Sequence, residues 1–230
     1  MAEKSIEHLG LILDGNRRWA RKRGLSTFEG HKKGYEIMKQ AGQWCLDRGI
    51  QVVTAFVFST ENWIKRTPEE VKYLLDLFLF FLEVDIREFH EKEIRLRVLG
   101  RSEGLSSKLL KLIEKAEKLT KNNTRGTLQI AFNYGGRMEI VDACKKIISS
   151  GVSAEKVDEG LISRNLYGPG VKDPDLIIRT SGERRLSGFL LWQAAYSEFL
   201  FLDKYWPDFS ERDLDLAIKD YAGRERRYGR

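Results

Sequence analysis

The sequence predicts an α/β fold: a single domain over residues 1–230, built on a central, mostly parallel six-stranded sheet flanked by helices. Three observations predict it. Six short apolar runs are rich in Val, Ile, Leu and Phe. Stretches of helical period separate them. No repeat, low-complexity tract or Pro/Gly/Ser-rich linker divides the 230 residues. Strands alternating with helices give parallel pairing through helical crossovers, and a chain of this length can bury a substantial core.

The first strand is HLGLIL (8–13), stopped by Asp14 and Gly15. Helices are expected from there to about residue 23, and over 30–48. IQVVTAFVF (50–58) is the second strand. Thr67 then opens a long helix, because threonine caps well, proline suits the first helical position, and Glu69 and Glu70 complement the positive end. This helix is expected to run to about residue 93. IRLRVLG (94–100) is a strand, 105–122 a helix and GTLQIAFN (126–133) a strand. Helices follow at 136–149 and 154–165, then strands DLIIR (175–179) and EFLFL (198–202), and a closing helix over 210–227.

Lys and Arg number 40 against 34 Asp and Glu, a net charge of +6. The excess is clustered. Arg17, Arg18, Arg21, Lys22, Arg23, Lys32 and Lys33 form one group, and Arg224, Arg226, Arg227 and Arg230 another. Such clusters suit nucleic acid, a phosphorylated small molecule or a lipid headgroup, or are simply solvated faces. Cys45 and Cys144 have no metal-ligand spacing and read as two free, buried thiols of a reducing compartment. The first ten residues hold no apolar signal core. The longest apolar stretch, 74–84, is interrupted by Asp76 and too short for a bilayer. A soluble, cytoplasmic protein is expected.

In open α/β folds, ligands sit beyond the carboxyl ends of the strands, where Asp14 stands. Gly15 lets the backbone approach a ligand, the next helix presents free N–H groups, and Arg17 and Arg18 add charged donors. This is a phosphate cradle with a carboxylate inside it. A carboxylate tolerates phosphates when a cation lies between, and Mg²⁺ takes one or two carboxylates plus phosphate oxygens. The alternative is an aspartate that only caps the helix. Neither G-x-x-x-x-G-K-[ST] nor G-x-G-x-x-G follows a strand, and Asn16 stands where a haloacid dehalogenase phosphatase carries its second aspartate. Ser59, Thr60, Glu61 and Asn62 follow the second strand, Arg179, Ser181, Arg184, Arg185 and Ser187 a later one, and Glu198 is supplied by AAYSEF. Strand-end turns are commonly polar, but four of them converging on one rim of the sheet describe a site. In the long helix, Val71, Leu74, Leu75, Phe78, Leu82 and Phe89 form one face, with Leu77, Phe80, Phe81 and Val84 largely off it. The excess apolar width needs a second buried face: a subunit interface, a second core layer, or the hydrophobic tunnel wall of an amphiphilic substrate.

The motifs DGNRRWA (14–20), GH (30–31), FSTENW (58–63), NYGGR (133–137), IRTSGE-R-LSGFLLWQ-AYSE (178–198) and RERRYG (224–229) resemble those of the cis-prenyltransferases, the undecaprenyl diphosphate synthase family, over essentially the whole chain. The resemblance implies Mg²⁺-dependent, head-to-tail addition of isopentenyl diphosphate to an allylic prenyl diphosphate, giving a Z-polyprenyl diphosphate that serves as a carrier-lipid precursor. It also implies the family's mostly parallel sheet with a hydrophobic tunnel, and a homodimer.

By the same resemblance Asp14 is the essential aspartate acting with Mg²⁺, and Glu198 is a second carboxylate at the metal. Gly15, Asn16, Arg17 and Arg18 hold the allylic diphosphate, assisted by His31. Ser59, Asn62 and Trp63 orient the homoallylic substrate, with Asn62 placed among the catalytic residues. Arg179, Arg185 and Ser187 form the isopentenyl diphosphate pocket. Trp19, Thr60, Glu61 and Arg66, within or beside these motifs, join the substrate-binding set. Arg227 and Gly229 match a terminal R-x-G that reaches the partner subunit's site. The chain departs from the bacterial pattern at Arg17 (a glycine there), Thr27 (often an arginine), Arg184 (a histidine) and the extra residue at Lys65-Arg66. The alternatives are a short-chain member of the same family and a non-catalytic subunit, against which the intact Asp14 loop counts. A nucleic-acid-binding domain would leave the apolar helix unexplained, so no nucleic acid is expected as a partner. Transient contact with a membrane surface fits a lipid product.

Overall fold

The computed structural model describes residues 5–224; Arg227 and Gly229 lie outside them. The strands are β1 (His8–Ile12), β2 (Val52–Ser59), β3 (Ile94–Leu99), β4 (Gly126–Tyr134), β5 (Leu176–Arg179) and β6 (Glu198–Phe201). They form one sheet of order β3-β4-β2-β1-β5-β6, and every pairing is parallel. The expected mostly parallel sheet is therefore wholly parallel, and all six carboxyl ends share one rim. From β1 the chain builds outward through β2 on one side and β5 on the other, which makes the end of β1 the switch point where such sheets bind ligands. Register pairs Ile12 with both Phe56 and Arg179.

The helices are α1 (Asn16–Lys22), α2 (Thr27–Asp47), α3 (Asn62–Lys65), α4 (Pro68–Phe80), α5 (Ile86–Glu91), α6 (Ser107–Thr120), α7 (Gly136–Ser149), α8 (Glu159–Asn165) and α9 (Glu211–Gly223). On one face of the sheet, Leu11, Ala55, Phe58, Ile130 and Phe132 pack with Met38 of α2 and Leu74 and Phe78 of α4. A smaller cluster with Ile12, Ala131, Ile177 and Phe189 covers the other face. Burying β1 on both faces explains its unbroken apolar run.

Several expectations are corrected. α2 begins three residues early, because Ser26 and Glu29 form a capping box: Glu29 N–H donates to Ser26 Oγ at 3.2 Å and Ser26 N–H to Glu29 Oε2 at 2.8 Å. The helix expected over 67–93 is α4, a π-helical turn at Phe81–Asp85, and α5. Ordinary α spacing holds up to the start of the π turn, so Phe81 is buried on the same side as Leu74 and Phe78, while Phe80, on the opposite side of α4, is 48% exposed. Residues 154–165 divide into a 3₁₀ turn (Ala154–Lys156) and α8, which Asp158 caps. Cys45 is buried but Cys144 is exposed. Among the described residues, no helix is long and apolar enough to cross a membrane.

Candidate active site

Asp14 follows β1 at the shared rim. Gly15 turns the chain into α1 with φ of 108°, the left-handed region where a Cβ is disfavoured; here it would also press on Tyr205 and Ser181. The backbone at Asp14 is fixed by Thr180 Oγ1–H and Trp206 N–H, which donate to its carbonyl at 2.7 and 3.0 Å. Its carboxylate accepts from Arg18 Nη2 at 3.1 Å and Arg179 Nη2 at 2.8 Å. Burial alone would raise the Asp14 pKa, but the two guanidiniums outweigh it and hold the carboxyl below its ordinary range.

Arg179 is 5% exposed. It also donates through Nη1 to Arg185 O at 2.5 Å and Ser187 Oγ at 2.9 Å, while its buried Nε has no protein partner. Ser181 and Ser187 hold φ of 79° and 51°. Backbone strain of this kind persists where surrounding structure over-determines it. Glu183 bridges Arg18 (3.1 Å) and Arg185 (2.5 Å).

A second carboxylate is visible in the sequence only as a first-turn acid. Glu70 is the third residue of α4, but its side chain turns inward and is 4% exposed. Its Oε1 accepts from His31 Nε2 at 2.9 Å and Arg66 Nη1 at 2.5 Å, and Arg17 Nη1 lies 3.7 Å from Oε2. Donation to a carboxylate puts the imidazole proton on Nε2, and burial lowers the His31 pKa, so the ring is neutral at neutral pH. Burial opposes ionisation of Glu70, yet its His31, Arg66 and Arg17 partners bring its pKa down from 4.5 to about 2. A depressed carboxylate stabilises the fold above the unfolded pKa and loses that effect as pH falls through the folded one. Glu70→Gln is therefore expected to melt below the wild type at neutral pH, with the gap narrowing once pH drops below about 4.5 and closing towards about 2. Melting curves over that range decide it; a gap independent of pH would mean the carboxylate charge contributes nothing.

After β2, Ser59 N–H donates to Asn62 Oδ1 at 3.1 Å, closing the turn that starts α3. Register shifts against β4 between Phe56 and Ser59 tilt this strand end. Two cavities meet here. One, about 540 Å³, has a polar end at Asp14, Ser59, Asn62, Arg66, Arg179 and Arg185 and apolar walls from α2, α4 and the sheet, including Met38, Phe56, Leu77, Phe78 and Phe81. The other, about 820 Å³, is basic, with Gly15, Arg17, Arg18, Arg21 and Thr27. Asp14, Asn16, His31 and Arg66 line both.

The structure thus brings Asp14, Gly15, Asn16, Arg17, Arg18, His31, Ser59, Glu61, Asn62, Arg66, Arg179, Arg185 and Ser187 to the two cavities. Thr60 and Trp63 line neither: Thr60 N–H bonds Tyr134 O, and the Trp63 indole N–H donates to Asn133 Oδ1 at 2.7 Å. Trp19 also points elsewhere, donating to Asp208 Oδ1 at 2.7 Å beneath the Arg23 guanidinium. Glu198 does not reach the Asp14 rim of its own chain. It begins β6, in register with Leu176 at the start of β5, so it stands at the amino end of the sheet, where Arg224 Nη1 donates to it at 2.9 Å. Among the described residues, no three or more His, Cys, Asp or Glu side chains converge as a metal site. Beyond Glu70, the sequence reading also missed Glu183, Lys65 and the α2 residues Tyr35 and Met38.

Residues 12–229 match the family model described as "Putative undecaprenyl diphosphate synthase". The isoprenyl transferase of Thermotoga maritima is 50% identical over 225 residues, covering 97% of this chain and 96% of that protein. An isoprenyl transferase of Thermus thermophilus is 50% identical over 233 residues, covering 97% of this chain and 88% of that protein. The crystal structure of lavandulyl diphosphate synthase from Lavandula x intermedia, in complex with dimethylallyl diphosphate, superposes with a TM-score of 0.93 at 33% identity, covering 98% of this chain and 99% of that one.

Proposed function

The chain belongs to the undecaprenyl diphosphate synthase family of prenyltransferases, and on that premise we propose that it adds isopentenyl diphosphate repeatedly to an allylic prenyl diphosphate. The observation that supports this most is the meeting of two unlike surfaces at Asp14: a cluster of guanidiniums at the strand rim, and an apolar cavity that runs inward from it. A diphosphate head with a hydrocarbon tail fits that division.

Ionising an allylic diphosphate builds negative charge on the leaving group, which fixed cations and amides stabilise. Arg17, Arg18, Asn16 and the α1 amides hold that group in the basic cavity, with neutral His31 at its wall. Arg179, Arg185 and Ser187 receive the second diphosphate. Asn62, its carbonyl oxygen engaged by Ser59 N–H, orients the homoallylic substrate with its amide N–H₂. The proton lost in forming the new double bond goes to the departing diphosphate, whose oxygens are released beside it.

Mg²⁺ is part of the proposal. Asp14 is ionised and offers two oxygens beside the arginines, and Mg²⁺ commonly takes one protein carboxylate and completes its shell with phosphate oxygens and water. When bound, the ion neutralises diphosphate charge beside the Asp14 carboxylate. Glu198 is too far along the sheet to share an ion with Asp14 of its own chain, so as a ligand it would act on a second copy. A homodimer, with Arg227 and Gly229 also acting across it, is retained on that ground and is tested by sedimentation. We place the protein in the cytoplasm, with transient contact at a membrane surface where the lipid product leaves.

Elongation with labelled isopentenyl diphosphate, Mg²⁺ and a panel of allylic primers tests it, with product length read by reverse-phase chromatography. A ladder ending in long chains is the expected result. A single short product is the second reading, which the likeness to a lavandulyl diphosphate synthase and the aromatic inner wall at Phe78 and Phe81 favour. No incorporation with any primer would remove the enzymatic proposal.

A further inference from the structure

Packed rings back one wall of the inner cavity. Phe78 stacks on Phe132 with ring centroids 4.2 Å apart, and Phe81 meets Phe89 edge to face at 5.2 Å. A hydrocarbon that gains one isoprene unit per cycle must fill about 540 Å³ and then needs further space. The cavity has a thin side. Between α2 and the α4–α5 segment lies an outer groove of about 730 Å³, with Tyr73, Phe80 and Trp44 as apolar surface and Gln40 and charged side chains such as Lys32, Glu36 and Lys92 around it. Tyr35 and Leu77 line both spaces, so these two side chains are the partition.

One of them is fastened. The Tyr35 hydroxyl donates to Asp85 Oδ2, and Lys39 Nζ lies 3.0 Å from the same carboxylate and 3.1 Å from Glu88. Asp85 closes the π turn, so the irregularity in the helix supplies the anchor. Phe80, a large apolar residue exposed on the outer side of α4, faces the groove rather than the cavity. Both the exposed apolar surface and its continuity with the substrate cavity point to one occupant.

We propose that Tyr35, pinned by Asp85, is a side gate of the hydrocarbon cavity, and that the groove behind it receives the distal end of the elongating polyprenyl chain. This rests on the chain-elongating reading above. Releasing the tyrosine lets a chain that has filled the inner space pass between α2 and α4, over Leu77 and along Phe80 and Tyr73, while its diphosphate stays at the arginines.

Product-length distributions of four variants of the full-length protein test it, with thermal melting to confirm each is folded. Tyr35→Ala opens the partition and is expected to shift products upward by one or more isoprene units. Tyr35→Phe, which keeps the ring and deletes the anchor, should shift them less. Gln40→Trp fills the groove from the exposed side of α2 without touching the inner cavity. It should shorten wild-type products, leave the rate of the first addition unchanged, and cancel the lengthening when combined with Tyr35→Ala. If Gln40→Trp neither shortens products nor cancels the lengthening, the groove is not used, even though elongation itself stands. A wild type that adds no unit to any primer would instead remove the functional reading, and this proposal with it.

Discussion

Asp14→Ala is expected to lower elongation by roughly 10³-fold, the scale of losing a preorganised charge at a reacting centre. The structure predicts how binding responds as well. Asp14 holds two guanidiniums, and Arg179 is 5% exposed. Removing the carboxylate takes one partner from each, leaving Arg18 on Glu183 and Arg179 on Arg185 O and Ser187, so the variant should bind inorganic diphosphate no more weakly than the wild type when Mg²⁺ is absent. Its melting temperature should fall without ligand, because a buried charge left unpaired is costly, and recover more than the wild type's when diphosphate is added. Asp14→Asn separates two roles. It keeps an acceptor for Arg179 but loses the charge. If Asp14 acts through Mg²⁺, the asparagine protein is as inactive as the alanine one. If Asp14 only positions arginines, the asparagine protein retains most of its activity, and the metal role proposed here is wrong.

Gly30→Ala is expected to cost stability and turnover together, through the close backbone contact of α2 with α1. A Cβ at position 30 would fall well inside van der Waals contact of the Asn16 carbonyl oxygen, with Ala20 Cβ, one turn along the same face of α1, at 3.0 Å. Backbone cannot swing away as a side-chain tip can. Overpacking of this kind costs ~1–3 kcal/mol. The displaced element is α1, which carries Asn16, Arg17 and Arg18, and a shift of about 1 Å at a positioned group can cost roughly 10²-fold in rate. Gly42, on the same helix, is the control: nothing lies within 4 Å of its added Cβ. Gly42→Ala should raise stability by ~0.5–1 kcal/mol and leave turnover alone. Equal stability changes at the two positions would mean that the close approach of α1 to α2 is not required.

Much of the fold and part of the site were legible in the sequence, for identifiable reasons. Most strands were short apolar runs separated by helical periods, and Asp14 with its arginines sat where a strand visibly ended. Glu70 was not legible as a site residue. An acid at the third position of a helix looks the same whether it faces solvent or not, and its inward turn is decided by His31 and Arg66, brought in from other elements. Glu198 was read onto the Asp14 rim although it opens its strand; in a wholly parallel sheet the first residue of a strand lies at the opposite rim. Trp19 shares a motif with Arg18 but not a direction, since neighbouring residues of a helix are about a quarter-turn apart.

The π turn at Phe81–Asp85 also bears on how this stretch compares with relatives. A π turn is one extra residue absorbed locally, with the helix on either side kept in phase. A homologue one residue shorter between 81 and 85 would thus have an ordinary continuous helix there and still turn the counterparts of Ile86 and Phe89 to the core. A gap in the middle of a helix usually signals a wrong alignment, but at this point it marks the presence or absence of the bulge. Homologues with and without that gap would differ in whether they hold an aspartate over α2, while their cores remained the same.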